Sequence, residues 1–295
     1  MYKISKFEKL TESIFLMDVD APRIAKKCQP GQFIIAKIDE EAERIPLTIC
    51  DYNRQAGTIT IVFQVVGAST FEMSRLQVGD YFMDFVGPLG CPSELIEEDI
   101  NELRNKKILF VAGGVGTAPV YPQLKWMHKQ GITCDAIVGA KSKDFLILED
   151  EMKAVSNLYI TTDDGSYGRH GLVTKVITEL VENQGRHYDA VVAIGPMIMM
   201  KFVCLLTKEL GLKTIVSINP IMVDGTGMCG ACRVIVGNEV KFACVDGPEF
   251  DGHAIDFDKA MVRQDIYKNE EGRAWLKAEE GKTHHGGCGN CGGNE

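Results

Sequence analysis

The chain has 295 residues, 45% hydrophobic and 25% charged, enough apolar material for a buried core and enough length for two or three domains. A net charge of −9 with no basic stripe excludes nucleic acid as the expected partner. Residues 1–6 form no signal-peptide apolar core and no stretch reaches transmembrane length, so no membrane contact is expected and the expected compartment is cytoplasmic.

In chain order, residues 1 to about 90 read as β. Short apolar runs at 14–17, 33–36 and 58–63 are separated by turn signals at Pro30-Gly31, Gly57, Gly67, Gly79-Asp80 and Gly87-Pro88, the pattern of a sandwich or barrel. The polar, acidic stretch 94–107 predicts a boundary helix or linker. From Ile108 to about Pro220, strands (108–111, 136–138, 158–160, 190–194, 214–217) alternate with helices (119–129, 172–181, 196–210). That alternation predicts an α/β unit with a parallel sheet covered on both faces. Residues 221–252 form a compact Cys/Gly unit, and 253–295 read as a polar C-terminal tail.

Ten cysteines in a chain of this kind do not read as a disulfide framework. Cys28, Cys50, Cys91, Cys134 and Cys204 are scattered and read as reduced, packed thiols. Cys229, Cys232, Cys244, Cys288 and Cys291 gather near the C-terminus, where metal binding is the usual reason. The sharpest signal runs from Asp224 through Gly225, Thr226, Gly227, Met228, Cys229, Gly230 and Ala231 to Cys232, with Cys244 behind it. An iron–sulfur cluster needs thiolates converging on one point and small residues that let the backbone approach the sulfides. The plant-type 2Fe–2S spacing is C-x4-C-x2-C…C. Here it is D-x4-C-x2-C-x11-C, so Asp224 stands at the first position and Asp224, Cys229, Cys232 and Cys244 are the expected metal ligands. A structural zinc on the same residues, or unliganded core thiols, are the other readings. In the tail, Cys288 and Cys291 have chelating spacing. The adjacent His284 and His285 are awkward ligands for one ion, however, so a mobile terminus outside the site is expected.

A second motif is Gly113-Gly114-Val115-Gly116-Thr117-Ala118-Pro119, which follows a strand and opens a helix. Glycines there let the backbone close on a pyrophosphate, and the helix start supplies N–H groups. The pattern is G-x-G-x-x-P from Gly114, with Thr117 the expected N-cap and Pro119 tolerated in the first turn. An ordinary strand-to-helix turn is the alternative. Gly195, Pro196 and Met197 follow a later strand at the same carboxyl edge, where open α/β sheets bind ligands.

Together with Pro30-Gly31-Gln32-Phe33, Arg44-Ile45-Pro46-Leu47-Thr48, Val66-Gly67-Ala68-Ser69-Thr70 and Gly87-Pro88-Leu89-Gly90, these motifs resemble the ferredoxin–NADP reductase superfamily. Residues 219–233 and 242–252 narrow the likeness. They resemble the electron-transfer subunit of dihydroorotate dehydrogenase and, more closely, the small subunit of the NADH-dependent reduced ferredoxin:NADP oxidoreductases, also called sulfide dehydrogenases. The likeness spans about residues 1–260.

The resemblance implies an antiparallel FAD-binding β-barrel over 1–100, a parallel-sheet NAD(P)-binding α/β domain over 101–220, a 2Fe–2S subdomain over 221–252 and a tail over 253–295. It implies flavin contacts at Arg44, Pro46, Leu47 and Thr48, and FAD pyrophosphate contacts at Val66, Gly67, Ser69 and Thr70. Taken bare, Arg44 is also readable as a solvated charge and Thr48 as a satisfied strand hydroxyl. It further implies a 2Fe–2S cluster held by one Asp and three Cys. The expected cofactors are thus FAD, the cluster and NAD(H), with NADP(H) the alternative, because Lys141 and Lys143 follow one strand while Asp163 and Asp164 follow the next. Two departures stand out. The superfamily's R-x-Y-S motif is replaced by Arg44 followed by Ile-Pro-Leu-Thr, and the cysteine often found before the Gly-Pro pair is Ile194. The implied activity is an NAD(P)H-dependent oxidoreductase: the electron-transfer subunit of an electron-bifurcating complex, with a larger flavin and iron–sulfur partner and ferredoxin reached through that partner. The same module in a dihydroorotate dehydrogenase or soluble hydrogenase, or as a non-turnover redox sensor, are the alternatives.

Overall fold

The computed structural model describes residues 1–279. Its first unit comprises β1 (Tyr2–Lys9), β2 (Ile14–Asp20), α1 (Pro22–Lys27), β3 (Phe33–Lys37), β4 (Ile45–Asn53), β5 (Thr58–Gln64), α2 (Ala68–Ser74), β6 (Tyr81–Phe82) and β7 (Asp84–Leu89). The strands form one antiparallel sheet in the order β6-β1-β2-β5-β4-β3-β7. Its two edge strands are separated in the chain by Met83 alone, so the sheet curls into a nearly closed barrel. Side chains alternate between faces with period two. Ile34 and Ala36 of β3 join Ile59, Ile61, Phe63, Phe82 and Phe85 in the barrel interior. Phe33 and Ile35 point outward into a different core.

Between barrel and sheet, the acidic stretch 94–107 folds as two short helices, α3 (Glu94–Glu97) and α4 (Ile100–Leu103). Asp99 caps the second by accepting from the Asn101 and Glu102 N–H groups. The next unit contains β8 (Ile108–Gly113), α5 (Thr117–Lys129), β9 (Cys134–Ala140), α6 (Glu149–Val155), β10 (Ser156–Thr162), β11 (Arg169–His170), α7 (Val173–Thr178), β12 (Ala190–Ile194), α8 (Met197–Glu209) and β13 (Lys213–Ser217). Every residue of β8, β9 and β12 is buried, as expected of parallel strands covered on both faces. The helix predicted over 172–181 is α7 continued by a wider π turn over Glu179–Asn183.

The chain ends in β14 (Arg233–Val236), β15 (Glu239–Phe242), β16 (Glu249–Asp251), α9 (Phe257–Gln264) and α10 (Lys268–Glu279). The second sheet runs β11-β10-β9-β8-β12-β13-β16. It begins in its middle at β8, steps outward to β10 and β11, and returns to β12 on the other side. The connections therefore diverge between β8 and β12, which opens a crevice at their carboxyl ends.

Two boundaries differ from the sequence reading. The unit over 221–252 gives its last strand to the neighbouring sheet, because β16 pairs antiparallel with β13 from Ser217↔Glu249 to Ile215↔Asp251. Nor do residues 253–279 form a loose tail. Phe257 and Ala260 of α9 are buried, and α10 lies on α2 with Trp275 edge-on to Phe71, ring centroids 5.6 Å apart. Their polar composition hides these packed positions, since a short helix needs few apolar residues to dock. The segment containing His284, His285, Cys288 and Cys291 lies outside the described residues. Among the described residues, no helix is long and apolar enough to cross a membrane.

Candidate functional site

At the crevice, β8 and β12 end side by side with Ala112 paired to Ile194. Three glycines let the two loops press together. A Cβ on Gly116 would lie 2.3 Å from the Ile194 carbonyl oxygen, one on Gly113 2.4 Å from Met199 Sδ, and one on Gly195 3.0 Å from the Gly113 backbone. Gly114 plays another part. Its φ is +54° and nothing lies within 4 Å of a Cβ there, so it forms an open cradle in front of α5. Thr117 is not the cap: Gly116 takes that position, and Thr117 is a buried first-turn residue whose hydroxyl donates to the Gly114 carbonyl at 2.9 Å. Ala118 and Met197 are likewise buried. Gly114, Pro119 and Gly195 are half-buried and Pro196 is exposed, while Gly113, Gly116, Thr117, Ala118 and Met197 are buried.

On the barrel, β3 pairs with β4 so that Phe33 faces Thr48 and Ile35 faces Pro46. Those four residues share the outer face. Leu47 alternates inward and packs its side chain against the barrel interior, which leaves only its backbone for an outside ligand. At the turn into α2, Thr70 Oγ1 accepts from the N–H groups of Val66 (2.9 Å) and Gly67 (3.2 Å). The Ser69 hydroxyl donates to the Glu43 carboxylate. Gly67 has open space where a Cβ would stand, so this turn can take a ligand against its backbone. Arg44 does not point here. Its Nε donates to the Val223 carbonyl at 2.7 Å and its Nη2 to the Asp224 carbonyl at 3.5 Å.

The loop that receives Arg44 carries the expected metal ligands. Gly225, Gly227 and Gly230 hold φ of +77°, +82° and +66°, which glycine adopts without strain, and among the described residues no three Cys, His, Asp or Glu side chains converge on a single ion position. The donors fall into two pairs. Asp224 Oδ2 accepts from Cys229 N–H at 3.0 Å, and the Cys232 and Cys244 sulfurs touch at 3.2 Å. Asp224 is half-buried and Cys229 exposed, while Cys232 and Cys244 are buried; one carboxylate and three thiols are a donor set that would suit a 2Fe–2S cluster. Thr226 N–H, followed by the groups of Cys229, holds the Asp224 carboxyl below the usual carboxylate range, so it is an anion ready to ligate. Burial pushes the Cys244 thiol up to about 12, and neighbouring Cys232 adds to this. Such a thiol ionises only against a metal's charge.

Three contacts in this region have no signal in the sequence. Arg263 of α9 donates from Nη2 to the Ala231 carbonyl, 3.0 Å away, between the two cysteines of the CxxC pair. Glu249 of β16 accepts from Gln123 Nε2 at 2.6 Å, and Gln123 accepts from the Ser93 hydroxyl at 3.1 Å. That chain joins β16, α5 and the end of the barrel. A depression lined by Lys106, Asp135, Arg186 and Tyr188 lies at the amino edge of the parallel sheet, away from these loops.

Known proteins match the same regions. The model of the iron–sulfur cluster binding domain of dihydroorotate dehydrogenase B matches residues 219–256, and that of the oxidoreductase NAD-binding domain matches 110–205. An uncharacterized Clostridium beijerinckii protein from the adh 3′ region is 62% identical over 98% of both chains. A Thermotoga maritima homolog of the dihydroorotate dehydrogenase B (NAD+) electron transfer subunit is 45% identical, covering 91% of this chain and 92% of its own. A chain from the structure of the NADH-dependent reduced ferredoxin–NADP oxidoreductase superposes with a TM-score of 0.86 at 40% identity, covering 94% of this chain and 97% of that one. That structure is described in terms of flavin-based electron bifurcation.

Fold and site together define a ferredoxin-reductase-type oxidoreductase module, with a barrel, an NAD-binding sheet and an iron–sulfur unit. The chain belongs to the family of dihydroorotate dehydrogenase B electron-transfer subunits and their homologs. It is an electron-transfer subunit.

Proposed function

We propose that this subunit exchanges electrons between NAD(H), FAD on the barrel, a 2Fe–2S cluster and a larger flavin and iron–sulfur subunit, within a complex that bifurcates electrons among NAD, NADP and ferredoxin. One observation carries the reading. Phe33 and Ile35 on the outer barrel face, the crevice-bearing sheet, and Cys232 and Cys244 of the cysteine loop belong to one core. The flavin, when bound, supplies the conversion between a two-electron hydride and single electrons.

The chain's own residues hold and orient. Pro46, Thr48 and the backbone of Leu47 present the strand to the flavin ring, while Val66, Gly67, Ser69 and Thr70 form the turn for its pyrophosphate. Gly114 and Pro119, with Gly195 and Pro196 opposite, orient the nicotinamide dinucleotide. Asp224, Cys229, Cys232 and Cys244 hold the cluster. For the dinucleotide we favour NAD(H). The Ser166 hydroxyl and N–H hold Asp164 below the usual carboxylate range at the end of β10, so a 2′-phosphate would meet an anion there. Lys143 packs its ammonium over the Tyr167 ring, 5.4 Å from the centroid. Beside the cluster ligands, Met228 is 89% exposed and Val223 48%, an apolar rim suited to a partner subunit.

Anaerobic stopped-flow mixing with NADH or NADPH tests the reading. Flavin bleaching by NADH, followed by the electron paramagnetic resonance signal of a reduced 2Fe–2S centre, is expected. Zinc without acid-labile sulfide in native protein, or bleaching by NADPH alone, would overturn it. The relatives described as dihydroorotate dehydrogenase B subunits favour a second partner, dihydroorotate dehydrogenase. The subunit that copurifies from the native cell decides between the two.

A further inference from the structure

The resemblance implies a flavin contact for Arg44, yet the guanidinium is committed elsewhere. Nε donates to the Val223 carbonyl at 2.7 Å, Nη2 to the Asp224 carbonyl at 3.5 Å, and Nη1 lies 3.8 Å from Asp84 Oδ2. All three nitrogens thus face the cluster loop or an anion beside it. The contact spans nearly 180 positions of chain, so it is a tertiary tether and not a local turn. It has an apolar counterpart immediately below. A Cβ on Gly225 would lie 2.7 Å from Ile35 Cδ1 and 2.8 Å from Leu89 Cδ1, so β3 and β7 press against the loop one residue past Asp224. The main chain of Asp224 is therefore held by the barrel, while its carboxylate is aimed by the N–H groups of Thr226 and Cys229, each at 3.0 Å.

We propose that Arg44 is a positioning residue of the iron–sulfur centre: it fixes the Val223–Asp224 main chain to the barrel and places a cation beside the Asp224 ligand. The inference rests on the cluster reading above. Its physical content is twofold. A guanidinium is a rigid fork, so it constrains the direction in which Asp224 leaves the backbone, and with it the geometry of an oxygen ligand on iron. It is also a positive charge next to a centre that gains an electron, and such a charge favours the reduced state. Arg44 immediately precedes β4, two residues before Pro46, so one tether also fixes the separation between that strand and the cluster loop.

Arg44→Gln and Arg44→Lys, made in the full chain with its native partner and purified without oxygen, test this. Iron, sulfide and FAD are quantified first, then the cluster is titrated potentiometrically under electron paramagnetic resonance. Both variants are expected to keep the wild-type iron, sulfide and FAD content. Arg44→Gln shifts the cluster midpoint to a more negative potential and alters its g values. Arg44→Lys restores much of the potential, because the charge returns, but not the g values, because the fork does not. Loss of FAD with an unchanged midpoint would make Arg44 a flavin clamp and overturn the proposal. So would wild-type potential and spectrum in Arg44→Gln, or wild-type g values in Arg44→Lys. If wild-type protein lacks sulfide, it is the cluster reading that fails, and this outcome is seen before any variant is compared.

Discussion

Replacing Glu249 with glutamine is expected to stabilise the protein at pH 8 by much more than at pH 5. Glu249 accepts from Gln123 through one oxygen, while its Oε2 is buried without a hydrogen-bond partner among the described residues. Burial, the dominant cause, raises its pKa from 4.5 to about 7. Because the folded pKa of this acid is raised, the folded state binds more protons than the unfolded state between those values, and stability falls as pH rises through the window. With 1.36 kcal/mol per pKa unit, the ionised carboxyl costs about 3 kcal/mol above pH 7 and about 1 kcal/mol at pH 5. Glutamine cannot titrate, so the stability difference between variant and wild type grows by about 2 kcal/mol from pH 5 to pH 8. Urea unfolding of the two proteins, with cofactors intact and at matched ionic strength, reads this directly. Parallel pH profiles would refute the reasoning, because they would mean that the carboxyl is solvated or paired in the folded state. The same contact joins β16 to α5 and Ser93, so a loosened joint at high pH is expected to appear as faster backbone exchange in β16.

Other perturbations address the site itself. Asp224→Cys is expected to retain a 2Fe–2S cluster at a shifted midpoint, and Asp224→Ala to lose iron on gel filtration; both keep their FAD. An unchanged midpoint and spectrum in both would remove Asp224 from the ligand set. Gly116→Ala places a methyl against the Ile194 carbonyl and is expected to cost about 1–3 kcal/mol of stability. It should also slow NADH-driven flavin reduction at least tenfold, while iron content stays at the wild-type level. Deleting residues 284–295 is expected to leave iron content and NADH-driven reduction of the complex unchanged, and loss of iron in that variant would overturn the exclusion of Cys288 and Cys291 from the site.

Much of the architecture is legible in the sequence because it is local. Apolar runs of strand length in residues 108–216, separated by helical stretches, require a covered parallel sheet. The D-x4-C-x2-C-x11-C spacing is likewise local, whereas the contact of Cys232 with Cys244 is made by the β14–β15 hairpin between them. The glycine-rich turn after β8 is equally readable, but the work of each residue in it is not. Thr117, Ala118 and Met197 look like ligand contacts in the motif, yet Ala118 and Met197 pack in the core and the buried Thr117 hydroxyl donates to the Gly114 carbonyl, since helix phase and loop packing set their direction. Leu47 errs in the same way, turned inward by strand alternation once β4 is in register with β3.

By itself, the sequence determined the order of barrel, sheet and cysteine loop and the two motifs from which the expected ligand set and dinucleotide loop are read, because each motif lies in one short stretch of chain. Only the tertiary structure decided where Arg44 points, that β16 completes the second sheet, and that α9 and α10 pack where a tail is expected. Those outcomes depend on residues brought together from distant parts of the chain. A long cationic side chain, a three-residue strand or a polar helix carries no local pattern that names its partner. The partner is selected by which donor, edge or apolar surface the rest of the fold leaves within reach.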